Sequence, residues 1–116
     1  MKIKDVNTAL ELFKEAAAFH GECTENGNYK LGNKNHDKIV KVLDYLKKEN
    51  RRDYLYKFLD DSNIWVQLWS AVYLLPLYEK DALTVLNKIA AGNGIVFGVA
   101  ETTIKEWKKG NLKNLY

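Results

Sequence analysis

The chain has 116 residues, of which 47% are hydrophobic and 28% charged, and its formal net charge is +3. This composition excludes a chain that is disordered throughout, and the length suits one compact domain rather than two. Because the positive excess is small, the charge does not require a polyanionic partner.

The cysteine content and the first residues predict a cytoplasmic protein. Cys23 is the only cysteine, so no disulfide can form within the chain, and a reducing compartment is expected. The opening MKIKDVNTALELF has neither an uninterrupted apolar core nor a small-residue cleavage site, which predicts no signal peptide. We also expect no association with a membrane.

The first half of the chain has two stretches with helical periodicity. Apolar residues recur at steps of three and four over residues 6–20, with Asp5 as a plausible N-cap, and again over residues 33–49. Residues 22–34 are the most polar part of the chain and contain Gly27 and Gly32. They are predicted to form the longest loop, with the alternative that the first helix continues past Gly21 to Cys23 or beyond.

The second half of the chain predicts four further helices. A short helix is expected over residues 52–59, followed by helices over residues 63–77, 80–91 and 99–109. Gly92-Asn93-Gly94 is a turn signal, and Gly110 is a helix stop. No segment has a strand-pairing signal, so the predicted fold class is all-α with about six helices.

The fourth predicted helix, NIWVQLWSAVYLLPL over residues 63–77, is the stretch around which the chain is organised. It has almost no polar stripe, and it is too short to span a bilayer. A helix that is apolar on nearly all sides is usually buried. The stretch is therefore predicted to be a central helix, with capping oxygens just before it and Pro76 near its end.

A weak internal repeat points to stacked helix pairs. YLYKFL at residues 54–59 is similar to VLNKIA at residues 85–90, and each is followed by a polar or glycine turn and a second helix. Helix pairs that cannot bury an apolar face alone stack on their neighbours in HEAT-like repeats.

The chain resembles the bacterial domain of unknown function 2019 family, a HEAT-like helical superhelix. FKEAAAFHGECTENGNYKLGNKNHDKIVKVLDYLK resembles the first helix pair of that family, and VQLWSAVYLL resembles its central helix. DALTVLNKIAAG and AETTIKEWKKGNL resemble its closing pair. The resemblance implies a single right-handed α-α superhelix over residues 1–116. It transfers no catalytic residue, and small HEAT-like proteins of this kind resemble immunity proteins that accompany bacterial toxins.

The sequence has one candidate metal-binding pattern and no catalytic motif. His20 and Cys23 share a helical face, and His36 or Asp37 could complete a zinc site, but the spacing matches no zinc signature. A packed histidine and a small buried cysteine explain the pattern better. No nucleophile elbow or phosphate-binding glycine loop is present. We therefore expect no enzyme activity, no metal and no cofactor.

Lysines near the C-terminus suggest a nucleic-acid hypothesis. They flank Trp107, which could stack on a base while the lysines contact phosphates. The alternative is that Trp107 belongs to the core and the lysines favour the negative end of the helix dipole. The lysines concerned are Lys105, Lys108, Lys109 and Lys113.

Clustered aromatic residues suggest a protein-binding surface instead. Exposed tryptophan and tyrosine side chains often anchor protein interfaces. The first hypothesis is a non-enzymatic module, most concretely an immunity protein that occludes the active site of a bacterial toxin such as a nuclease. A nuclease target would require an acidic patch, which Asp37, Asp44, Asp60 and Asp61 could form. The predicted partner-binding residues are Tyr54, Asp60, Asp61, Trp65, Trp69 and Tyr73.

Overall fold

The structure is a computed structural model that describes residues 3–112. These residues form five α-helices and one 3₁₀ helix without any strand, which confirms the all-α prediction. The α-helices are α1 (Val6–Asn26), α2 (Tyr29–Lys48), α3 (Ile64–Leu74), α4 (Glu79–Ala90) and α5 (Ile95–Lys108), and the 3₁₀ helix η1 is Arg52–Asp60. Within this described part, no helix is long and apolar enough to cross a membrane.

The chain divides into two compact units, Met1–Leu55 and Tyr56–Tyr116. The prediction of one domain over residues 1–116 was made from length and resemblance. It stays a prediction, as does the right-handed superhelix.

The first unit is a hairpin of two long helices. α1 begins as predicted at Asp5, whose carboxylate accepts a hydrogen bond of 2.7 Å from the backbone N–H of Thr8. Its apolar stripe packs against that of α2. Both stripes are buried, and their central members are Phe13, Ala17, Ile39, Val42 and Leu46.

The predicted loop over residues 22–34 is wrong. α1 continues to Asn26 and α2 begins at Tyr29, so only Gly27 and Asn28 connect them. Gly27 adopts a φ of 79°, and both its N–H and that of Asn28 donate to the carbonyl of Cys23, which ends α1 in one residue. The Asn28 side chain then caps α2 through the N–H of Leu31. The polar composition of residues 22–34 suggested a loop, although the segment forms two helix ends joined by a tight turn.

The second unit is built around α3, as the sequence predicts. Eight of its eleven residues are buried, and it packs against α4 and α5. The helix starts at Asn63, whose side-chain oxygen accepts hydrogen bonds from the N–H groups of Trp65 at 2.9 Å and Val66 at 3.2 Å. It ends at Leu74, two residues before Pro76.

α3 is shorter than the predicted helix over residues 63–77, and two further features differ from the predictions. α5 starts at Ile95 rather than at residue 99, because Gly94 with a φ of 95° lets the chain enter the helix directly from the turn. The two halves of the predicted repeat also form different helix types, since residues 54–59 are 3₁₀ and residues 85–90 are α-helical. In η1 the buried Leu55 and Phe58 are three apart, a spacing that suits three residues per turn.

Candidate functional site

The predicted partner-binding residues separate into buried and exposed sets. Trp65 and Tyr73 are only 4% and 2% exposed, so they belong to the core. The prediction that these two residues anchor an interface is therefore wrong. Trp69 is half-buried, and its ring stacks on Tyr73 with centroids 5.8 Å apart. Tyr54 is 46% exposed and lies in the first unit.

The two aspartates that precede α3 have different roles. Asp60 is exposed, whereas Asp61 is half-buried and accepts a hydrogen bond of 2.9 Å from the N–H of Asn63. The Gln67 side chain donates to the backbone carbonyl of Asp61. Asp61 therefore shapes the chain entry into α3, while Asp60 remains available to a partner.

Asp60 lines a groove of about 510 Å³ that lies wholly within the second unit. Three segments line it: residues of the second half of η1, Gln67 of α3 and one face of α4. Apolar side chains alternate with charged and amide groups around it. The lining residues are Tyr56, Lys57, Leu59, Asp60, Gln67, Asp81, Thr84, Val85 and Lys88.

An exposed aromatic pair stands at the α4 side of this groove. The Tyr56 hydroxyl donates a hydrogen bond of 2.7 Å to Asp81, and the Tyr56 ring meets that of Tyr78 edge-on with centroids 5.0 Å apart. The hydrogen bond to Asp81 and the negative charge of that carboxylate raise the pKa of Tyr56. Tyr56 therefore stays a neutral phenol near pH 7 and acts as a hydrogen-bond donor rather than as a base.

The groove carries both signs of charge. Asp60 and Asp81 contribute two carboxylates, and Lys57 and Lys88 contribute two ammonium groups. It is therefore not the acidic patch that a blocker of a basic nuclease site would need. Of the other acidic candidates, Asp37 and Asp44 lie on α2 in the first unit.

Sequence reasoning missed most of this groove. The predicted binding residues include Asp60, but not the α4 face formed by Asp81, Thr84, Val85 and Lys88. Their spacing of three, four and seven residues marks one face of a helix. That signal shows which side chains stand together, but not which element lies opposite them.

The C-terminal lysines lie on the exposed side of α5 and just after it. Lys105 forms an ion pair of 3.1 Å with Glu101 one turn earlier, and Lys108 and Lys109 are exposed. Lys113 lies outside the described residues. The Trp107 ring is only 7% exposed and its Nε1–H donates a 2.6 Å hydrogen bond to Glu79, so it offers no free face to a base.

Of the candidate zinc ligands, only the two histidines are seen to approach each other, within the first unit. His20 and His36 approach across the hairpin with ring centroids 5.9 Å apart, and Cys23 is buried. Over residues 3–112, no group of three or more histidine, cysteine or carboxylate side chains could hold a metal ion.

This histidine pair predicts a pH-dependent stability. Burial lowers the pKa of His20, and the nearby His36 lowers it further. In the unfolded chain His20 binds a proton near pH 6.5, whereas in the folded chain it binds one only at lower pH. The free energy of unfolding should therefore fall as the pH drops below about 6.5. Urea unfolding between pH 5 and 8 measures the slope. His20→Gln should flatten it, and an equal slope in that variant would contradict the assignment.

Comparisons with known proteins identify no relative. The chain matches no protein-family model, no curated protein and no solved structure. The resemblance to the domain of unknown function 2019 family therefore remains a hypothesis.

Proposed function

We propose that the chain is a non-enzymatic protein-binding module and that the groove of the second unit takes a segment of a partner protein. The exposed ring of Tyr56 carries this proposal, since it lines the groove together with Leu59 and Val85 and contacts the Tyr78 ring. Tyrosine buries a large apolar ring at little cost in conformational entropy and keeps a polar tip, and such residues commonly dominate binding energy.

The lining of the groove indicates the chemistry of that partner. Leu59 and Val85 offer apolar contact, and two lysines, Lys57 and Lys88, line the groove together with Asp60 and Asp81. A matching segment would insert an apolar or aromatic side chain and carry charges of both signs around it. Charges placed in this way contribute more to orientation and specificity than to affinity.

In its most concrete form, the partner is a bacterial protein toxin that the module neutralises by occluding the active site. The resemblance to HEAT-like families supports this version, together with the small size of the chain and the preformed groove. The mixed charge of the groove favours a toxin other than one with a strongly basic nuclease site. No cofactor or membrane is needed for this mechanism.

Tagged protein co-expressed with the neighbouring open reading frame tests the proposal. We expect capture of a stoichiometric protein that stops growth when expressed alone and is neutralised by the wild-type module. Tyr56→Ala should weaken binding roughly 30-fold, the effect of losing one aromatic anchor of about 2 kcal/mol. Isothermal titration calorimetry measures the change.

Asn87→Ala is the matched control, since Asn87 is exposed on α4 but does not line the groove. It should leave the affinity unchanged. Capture of a partner that binds the Tyr56 and Asn87 variants equally well would show that another surface is used. Recovery of the bare protein, or of nucleic acid alone, would reject the proposed function.

A further inference from the structure

The hairpin of the first unit has a second groove, of about 590 Å³, on its open face. Two large apolar side chains lie in it, Phe19 of α1 at 43% and Leu31 of α2 at 40% exposure. Ala16 and Asn35 contribute to the floor, and the Asn35 amide is satisfied by the carbonyl of Leu31 at 2.8 Å. An apolar strip of this kind along two helices is the surface that a further pair of helices would cover.

Charges on the two sides of this groove are segregated by helix. Glu15 and Glu22 of α1 line one side, and Lys34 and Lys38 of α2 line the other. The whole helices share this bias, since α1 has four glutamates and one lysine whereas α2 has six lysines and two aspartates. An occupant must therefore bring positive charge to the α1 side and negative charge to the α2 side.

The opposite charges also stand at matching heights above the Gly27–Asn28 turn. Glu22 lies four residues before the end of α1, and Lys34 lies five residues after the start of α2. In the next pair, Glu15 lies eleven residues before the end of α1, and Lys38 lies nine residues after the start of α2. At about 1.5 Å of rise per residue, each pair is level to within about 3 Å.

Contacts across the hairpin confirm this register. Cys23 and Gly32 each lie three residues from their helix end at the turn, and a Cβ on Gly32 would stand 3.5 Å from the Cys23 Cβ. His20 and His36, six and seven residues from those ends, bring their rings to 5.9 Å. The heights of the charged residues therefore follow from observed contacts between the helices.

We propose that the occupant is a second copy of this chain, bound through the same groove in a two-fold symmetric dimer. If the two-fold axis runs parallel to the helices, α1 of each copy lies on α2 of the other. Glu22 then faces Lys34 of the second copy and Glu15 faces its Lys38, and the symmetry repeats both pairs. Phe19 and Leu31 supply the apolar contact of the resulting four-helix arrangement.

The charge pattern selects this axis over the other face-to-face arrangement. A two-fold axis perpendicular to the helices in the plane of the hairpin would stack α1 on α1 and α2 on α2. Glutamates would then meet glutamates, and lysines would meet lysines, which is unfavourable. Individual exposed ion pairs contribute little to affinity, so the apolar strip drives the association and the charges set its geometry.

Sedimentation velocity over a range of concentrations up to about 1 mM tests the dimer. The wild type should show a concentration-dependent monomer–dimer equilibrium. The double variant Glu15→Lys/Glu22→Lys places lysines on both sides of the groove, and Lys34→Glu/Lys38→Glu places glutamates on both sides. Each variant alone should dimerise at least about tenfold more weakly, because like charges then face each other.

Mixing the two variants provides the decisive measurement. A copy with four lysines and a copy with four glutamates complement each other at every pair, so the mixture should form a heterodimer. Recovery in the mixture would also show that both variants are folded. Glu11→Lys/Glu25→Lys changes the net charge by the same amount at exposed positions of α1 outside the groove, and it should dimerise like the wild type.

Three outcomes would overturn the proposal. The wild type could remain monomeric throughout the concentration range, the reversed variants could dimerise as well as the wild type, or the mixture could fail to associate. The test uses only residues of the first unit. Its result is therefore independent of partner binding by the groove of the second unit.

Discussion

Replacement of Trp65 by alanine is expected to lower the free energy of unfolding by about 3–5 kcal/mol. The Trp65 side chain is 4% exposed on α3, the most buried helix of the second unit. Truncation removes a large apolar ring and leaves a cavity that its neighbours fill only in part. Folded proteins are typically stable by about 5–15 kcal/mol, so this single change would remove a large share of the stability.

Urea unfolding followed by far-UV circular dichroism measures this loss as a lower midpoint. An unchanged dependence on urea would show that stability rather than compactness has changed. Ile64→Ala is the matched control, because Ile64 is the preceding residue of α3 but is 41% exposed. Its effect should stay below about 1 kcal/mol. Wild-type stability in the Trp65 variant would mean that the ring is not part of the core.

This prediction changes how a binding surface can be mapped. Trp65 carries a large aromatic ring, and from the sequence alone it was a natural choice for an interface anchor. Because Trp65 is buried, its truncation would weaken binding by destabilising the second unit, which gives no information about contact. Tyr56 is the appropriate probe, because its ring is 43% exposed and borders the groove.

Trp107→Ala is expected to have an effect of similar size, about 3–5 kcal/mol. The ring of Trp107 is buried on α5, and its Nε1–H donates a 2.6 Å hydrogen bond to Glu79 in the first turn of α4. The variant therefore loses both packing and a hydrogen bond to a charged group. Because α4 and α5 are joined directly by this bond, its loss should also loosen the start of α4.

Two further variants separate these contributions. Trp107→Phe keeps most of the packing and removes the hydrogen bond, so it should cost about 1.5–3 kcal/mol. Glu79→Gln retains a neutral acceptor and should cost less than that. Chemical denaturation of the three variants should rank them in this order, and a Phe variant as unstable as the Ala variant would contradict the proposed division.

The same series addresses the nucleic-acid hypothesis. Lys108→Ala and Lys109→Ala alter exposed residues and should change stability by no more than about 0.5 kcal/mol. Binding to generic RNA at low salt can therefore be compared between these variants and the wild type without a difference in folding. A role of the lysines would appear as weaker, less salt-dependent binding. The buried Trp107 would not contribute a stacking platform.

Local sequence signals were sufficient for most of the helices. Helical periodicity located α1, α2 and α4, and continuous apolarity identified α3 as a buried helix. Asp5 and Asn63 are capping residues in the structure because short polar side chains accept hydrogen bonds from unpaired amides at helix starts. These features depend on neighbouring residues, and the sequence contains them directly.

The loop predicted over residues 22–34 failed for a physical reason. Polar residues and glycines suggested an irregular segment, yet most of those side chains lie on the exposed faces of α1 and α2. The inward side of the same segment carries Cys23 and Gly32, whose small size lets the two helices approach each other. The composition of the segment combines the exposed and the inward face of each helix, whereas helix formation depends on packing at the inward face.

By itself, the sequence determined the all-α fold, the starts of α1 and α3 and the buried character of α3, because these follow from local hydrogen bonding and hydrophobic periodicity. Only the tertiary structure decided which aromatic rings are accessible. It placed Trp65, Tyr73 and Trp107 in the core and left Tyr56 at a groove beside Asp81. The reason is that a groove forms between elements distant in the chain, and its walls depend on how those elements pack.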